Sequence, residues 1–221
     1  MAGLTSSTIG RKYAMALSAL FLLIFLILHL TTNLLSVLND HDVFNKASEF
    51  MGYNPFVQFL MQPILGFAVL FHFIMGFVLE IKNNKARPVK YAANNASANS
   101  SWMSRNMIIS GSVVLAFLAL HFYDFWWHEI NYKYVQGIAP DSERFWPELH
   151  EKFADIWRVA LYVISFVLLG LHLAHGFQSS FQSIGARHPK YTPVIKAFGK
   201  WYSILIPAGF IIIAVFHFVT Q

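Results

Sequence analysis

Leu168-Leu169-Gly170-Leu171-His172-Leu173-Ala174-His175-Gly176 lies near the end of an apolar run that begins near Phe153. A histidine is costly to place in a helix long and apolar enough to cross a membrane, so by default it marks a functional site. Three other apolar runs carry the same feature. His29 stands in Phe25-Leu-Ile-Leu-His29-Leu-Thr-Thr-Asn33, His72 in Val69-Leu-Phe-His72-Phe-Ile-Met-Gly76, and His121 in Leu118-Ala-Leu-His121-Phe-Tyr123. The chain is organised around these four imidazoles.

Working outward, the 221 residues are 56% hydrophobic and 12% charged, about half the charge of an ordinary soluble domain. The runs are too long and too clean for a soluble core. They are continuous rather than alternating, which excludes a membrane β-barrel. The first run follows Arg11 and Lys12 as a signal peptide would, but it is too long for one and holds His29 and Asn33. The expected fold is an all-α integral membrane protein forming one domain over 1–221. Its five transmembrane helices are expected near 13–38, 56–81, 102–126, 153–181 and 201–220, the first four forming a bundle. Residues 39–55 read as a polar loop and 127–152 as an outer cap loop with a short helix. There is no cysteine, which removes disulfides, thiolate metal sites, iron–sulfur clusters and covalent haem attachment.

The net charge of +5 does not point to nucleic acid, because the charge is segregated. Arg11, Lys12, Lys82, Lys85, Arg87, Lys90, Arg105, Arg187, Lys190, Lys196 and Lys200 fall on the side of the N-terminus. Lys46, Lys133, Arg144, Lys152 and Arg158 fall opposite, together with every acid but Glu80. The positive-inside rule then puts the N-terminus in the cytoplasm.

Helix rise turns sequence distance into depth. His72 and His172 each precede the inner end of their run by nine residues, roughly 14 Å at 1.5 Å per residue. His29 and His121 lie roughly 24 and 28 Å from that side. Two levels result, His72 with His172 inside and His29 with His121 outside. Gly76 and Gly176 follow the inner histidines by one turn on the same face, leaving room for a flat macrocycle. Two opposed imidazoles saturate a haem iron, which suits electron transfer rather than oxygen chemistry. The expectation is therefore two haems b held across a bilayer. The alternative at this point is a haem-free proton relay or histidine-lined transport path.

These residues carry a resemblance. The order of the four histidine helices, the N-terminus inside, and the pieces Phe25-Leu-Ile-Leu-His29-Leu-Thr-Thr-Asn33, Ser101-Trp102-Met-Ser-Arg105-Asn-Met and His172-x-x-x-Gly176-Phe followed by Ser183-Ile-Gly185 are similar to one family. It is the cytochrome b membrane-anchor subunit of succinate:quinone oxidoreductases (succinate dehydrogenase and fumarate reductase), of the five-helix, dihaem, single-chain type. The resemblance covers nearly the whole chain. It implies that His72 and His172 bind a proximal haem and His29 and His121 a distal one. It also implies a flavoprotein subunit and an iron–sulfur subunit on the cytoplasmic side, menaquinone as the membrane substrate and a bacterial cytoplasmic membrane; a higher oligomer of the complex is left open by the sequence. Succinate chemistry would belong to the flavoprotein subunit. A related alternative keeps the haem and changes the partner to another quinone-linked dehydrogenase or a hydrogenase. Some fumarate-reducing members carry a glutamate two residues before the fourth-helix histidine, where this chain has Gly170, so a proton path of that kind is in doubt.

Further residues are weighed for the haem and quinone. Propionates need cationic or polar partners near the surface, and Arg11, Tyr13, Ser18, Trp102, Arg105, Gln178 and Gln182 qualify on the inner side. Arg11 and Arg105 read equally well as headgroup anchors. A quinone reacting on the outer side would use His41, Asp42 and Glu49. His175 is a rival to His172, which the glycine spacing and the family pattern favour. His217 reads as interfacial, and His41, His128, His150 and His188 as solvated loop residues.

Overall fold

The computed structural model describes residues 7–85 and 106–221. Among them there are helices and no strands. Helix α1 is Thr8–Leu34 and runs into a 3-10 turn, Leu35–Val37. Helix α2 is His41–Tyr53, α3 is Val57–Lys85 and α4 is Met107–Val135. Helix α5 is Phe145–Lys152, α6 is Ile156–Ser183 and α7 is Thr192–Val219. Five of them, α1, α3, α4, α6 and α7, are long and apolar enough to cross a membrane, with mean hydropathy between 1.7 and 2.4. At 1.5 Å per residue each exceeds the roughly 30 Å hydrocarbon thickness. The chain is an all-α multi-pass membrane protein. The helices alternate in direction, giving an N-terminal end and a cap end, the latter covered by α2 and α5.

Local chemistry sets the helix ends. The side chains of Ser7, Asp40 and Asp155 accept from the backbone N–H groups of Gly10, Asp42 and Trp157, capping α1, α2 and α6. Pro193 lies in the first turn of α7, where its missing N–H costs nothing. That start is earlier than residue 201, because Thr192–Lys200 adds two to three mostly exposed helical turns ahead of the apolar run.

The largest difference from the sequence expectation is α4. It runs on to Val135, so the cap loop shortens to Gln136–Arg144, and residues 127–135 belong to the helix. Its polar residues are compatible with helix because neighbouring elements satisfy them. Asp124 is buried and takes hydrogen bonds from Arg158 and, at 2.8 Å, from the Tyr162 hydroxyl. Glu129 pairs with Lys133 and Arg144. The cap-end half of α4 contains two wider π turns, Phe122–Trp127 and Asn131–Val135, a geometry that occurs often beside functional sites. Likewise the segment expected as a polar loop at 39–55 contains α2, capped by Asp40.

The core is the α6–α7 seam. Tyr162, Phe166, Leu169, Leu173 and Phe177 form one face of α6 at helical spacing and pack with Tyr202, Ile206, Phe210 and Ile213 of α7. The Tyr202 hydroxyl donates to the Leu23 carbonyl at 2.6 Å, tying α7 to α1. Close approach of α6 and α7 requires Gly170: a Cβ there would lie 3.0 Å from the Ser203 carbonyl oxygen and 3.3 Å from Pro207 Cγ. The glycine thus serves helix packing, and its side faces α7 rather than the histidines.

At the cap end Trp146 donates from Nε1 to the Ser36 carbonyl at 2.8 Å, and its backbone N–H donates to Asn45 Oδ1 at 2.8 Å. His41 and His150 stack on Trp146, with ring centres 3.6 and 4.5 Å away. His150 is therefore a half-buried packing residue, not a solvated one. Beneath it His217 is fully buried rather than interfacial, with Nε2 3.0 Å from Ser36 Oγ and Nδ1 3.2 Å from His150 Nδ1.

Two predictions follow from this packing. Gly170→Ala is expected to destabilise the solubilised protein by about 1–3 kcal/mol, read as a lower melting temperature; an unchanged value would mean that α6 and α7 part freely at this point. Burial, with His41 adding to it, holds the His150 pKa below 6.5, so folding keeps that imidazole neutral. Its contribution is complete above about pH 6.5 and is lost as pH falls through that value towards the folded-state pKa. Hydrogen-exchange protection factors over 145–152 should fall between about pH 7 and 5, and His150→Gln should flatten the dependence.

Candidate functional site

The four membrane histidines all line one cavity of about 790 Å³ inside the bundle. They approach it from four different helices, α1, α3, α4 and α6, and α7 closes the back with Phe210 and Ile213. The rings meet two by two. His29 and His121 have ring centres 5.8 Å apart with planes at 83°, and His72 and His172 have ring centres 6.5 Å apart with planes at 71°. The first pair lies towards the cap end and the second towards the N-terminal end. His175 does not line the cavity, and among the described residues no three histidine, aspartate or glutamate side chains converge as a cage for a bare ion.

The wall between and around the pairs is apolar and aromatic. Phe25 stacks on His29 at 5.2 Å, while Phe117, Phe125 and Tyr162 surround His121 within 6.5 Å. Polar atoms meet the rings mainly on their Nδ1 sides. Ser18 Oγ is 3.1 Å from His72 Nδ1, Ser110 Oγ is 3.2 Å from His172 Nδ1, and Asn33 Nδ2 is 3.4 Å from His29 Nδ1. His121 Nδ1 is buried and has no hydrogen-bond partner among the described residues.

Of the two glycines, Gly176 lines the cavity, and a Cβ there would meet only Met107 Cε, at 3.4 Å. Gly76 faces Met15, whose Cε would be 3.6 Å from an added Cβ. Ser18, expected among the propionate partners, stands behind His72. Arg11, in the first turn of α1, and Gln178, near the C-terminus of α6, are half-buried at the N-terminal end of the bundle and do not line the cavity. Trp102 and Arg105 lie outside the described residues.

The cavity reaches towards the cap end, where Gln58, Glu129, Lys133 and Tyr134 line it. Lys133 donates to Glu129 and to the Gly52 carbonyl, and its ammonium lies 3.8 Å from the centre of the Tyr53 ring. Arg144 also pairs with Glu129 and, at 2.8 Å, with Glu148. Burial would pull the Arg144 pKa down, but these carboxylates outweigh it and hold it above its ordinary value. His41, Asp42 and Glu49 do not line the cavity: His41 packs on Trp146 and Asp42 pairs with Lys46 at 2.6 Å.

Sequence reasoning missed Ser110, Glu129, Lys133 and the group formed by Asp124, Arg158 and Tyr162. A carboxylate three residues after His121 in an apolar run was a usable signal for the last of these. The others become visible only once it is known that α4 extends to Val135 and faces α3. No protein-family model matches the chain, and no curated protein or solved structure matches it.

Proposed function

We propose that this chain is a dihaem cytochrome b that spans the membrane and carries electrons to or from quinone. The supporting observation is the meeting of four half-buried histidines in two pairs inside one apolar cavity. A metal–imidazole bond is about 2 Å long, so two imidazoles sharing one metal have ring centres about 6 Å apart. The observed 5.8 and 6.5 Å suit that separation. Pairs rather than triads suit a metal that brings four equatorial nitrogens of its own. The cavity and Gly176 give a planar macrocycle apolar walls and a close backbone.

His72 and His172 would hold one haem and His29 and His121 the other. Bis-histidine haem supplies one-electron transfer with no open coordination position. The residues of this chain orient the rings, exclude water with Phe25, Phe117, Phe125 and Phe210, and keep the two levels stacked along the bundle. At the cap end Gln58, Glu129, Lys133 and Tyr134 offer hydrogen-bonding groups beside an apolar slot, which is what a quinone headgroup needs. They are a better-placed set than His41, Asp42 and Glu49, since they line the cavity.

We further propose the role of the resembled family. The chain would anchor a succinate dehydrogenase or fumarate reductase in a bacterial cytoplasmic membrane, with its N-terminal end cytoplasmic. A flavoprotein subunit and an iron–sulfur subunit would dock on that basic end, and menaquinone would be the lipid-soluble partner. The charge asymmetry of the loops supports this orientation.

The pairing has a direct test. His72→Ala and His172→Ala should each remove the same haem, and His29→Ala and His121→Ala the other, read as loss of one of two resolved α-bands and potentiometric waves. Loss of the same haem from His29→Ala and His72→Ala, with the second retained in both, would overturn the pairing. Purification through a tag on this chain should bring down a flavin-containing and an iron–sulfur protein; a different redox partner would redirect the assignment.

A further inference from the structure

The histidine pair at the N-terminal end is held by a device that occurs twice. Ser18 on α1 stands behind His72 on α3, and Ser110 on α4 stands behind His172 on α6. Neither serine lines the cavity. Each serine hydroxyl also donates to the backbone carbonyl three residues earlier, Ser18 to Met15 at 2.8 Å and Ser110 to Met107 at 3.0 Å. A hydroxyl has one proton. With it committed to a carbonyl, the serine oxygen can only accept from the ring. In that arrangement Nδ1 of His72 and of His172 carries the hydrogen, and Nε2 keeps its lone pair.

The sequence repeats this arrangement. Met15-x-x-Ser18 and Met107-x-x-Ser110 are each followed, eleven residues after the serine, by His29 and His121. Eleven residues are close to three helical turns, so serine and histidine lie on one face at two levels. The matching methionines also face matching glycines, Met15 against Gly76 and Met107 against Gly176. The α1–α3 and α4–α6 pairs thus build one design: a Met/Ser/His helix packed on a His-x-x-x-Gly helix.

We propose that Ser18 and Ser110 are positioning residues for haem. Each fixes the tautomer and ring orientation of the histidine that ligates the haem nearer the N-terminal end, so that Nε2 is presented to the iron. This rests on the haem reading above. Hydrogen-bond acceptors on the distal ring nitrogen orient ligating histidines and raise their basicity. The pair at the cap end has no counterpart: Asn33 presents its amide to His29, and His121 Nδ1 has no partner among the described residues.

The experiment uses the whole membrane complex and compares Ser18→Ala, Ser110→Ala, Ser18→Thr and, as a control, Ser112→Ala. Ser112 is an exposed serine bonded only to its own helix, at Ile108. Both alanine variants at Ser18 and Ser110 should bind the haem of His72 and His172 about 10–100-fold more weakly, and raise its midpoint potential, because a less basic ligand favours ferrous iron. The haem of His29 and His121 should be retained with unchanged potential, which also reports that the bundle is folded. Ser18→Thr keeps the hydroxyl and should restore wild-type values, and Ser112→Ala should have no effect. Wild-type affinity and potential in both Ser18→Ala and Ser110→Ala, in a complex that holds two haems, would overturn this role and leave the haem reading intact. A wild-type complex without haem would overturn both.

Discussion

Placing imidazoles in the apolar interior of a membrane bundle is the constraint on which this structure depends. Burying a polar group without compensation costs about 1–3 kcal/mol by protein measurements. An interhelical hydrogen bond in a membrane returns about 0.6 kcal/mol on average. Among the described residues, Ser18 and Ser110 meet one nitrogen each of His72 and His172 from a neighbouring helix, and Asn33 meets His29 within α1, so hydrogen bonding alone does not offset four imidazoles in an apolar cavity. Bonds to a metal through the second nitrogens would. The pairwise meeting of the rings and the cavity between them have a common cause under the dihaem account, and the rest of the bundle is arranged to keep that cavity apolar.

The five spanning helices divide this work. The α6–α7 seam is the packed core, drawn together by Gly170 and by continuous aromatic and aliphatic packing. The α1–α3 and α4–α6 pairs carry the histidines. The exposed apolar faces of α3, including Phe59, Phe67 and Leu70, are those of a helix solvated by lipid. The cap end is different in kind. There Asp124 with Arg158 and Tyr162, Glu129 with Lys133 and Arg144, and the stack of His41, Trp146 and His150 form a polar layer. That layer lets α4 run past its apolar stretch and shapes the end of the cavity where a polar headgroup can meet the apolar slot.

The membrane fold was legible because hydropathy over twenty or more residues is a local property, and so was the meeting of His29 with His121 and His72 with His172, since helix rise converts residue number into depth. What stayed hidden depends on which faces turn towards each other. The continuation of α4 to Val135 is decided by Arg144 of the cap loop and by Arg158 and Tyr162 of α6, contacts that local hydropathy does not carry. Depth along α1 alone makes Ser18 a surface partner for a propionate, but azimuth decides its role: its side of α1 faces His72. His150 and His217 looked solvated or interfacial for the same reason. Ser110 had a signal in its eleven-residue spacing to His121, but that spacing gains meaning only beside the Ser18–His72 contact.

The central claim, that paired membrane histidines hold two haems, is tested most directly by a haem assay with a reduced-minus-oxidised spectrum of the purified membrane complex. The account predicts two b-type haems per chain, low-spin in both redox states and unreactive towards carbon monoxide, because His72 with His172 and His29 with His121 would leave no coordination position open. A complex without haem would contradict it, and so would haem that binds carbon monoxide at an open position.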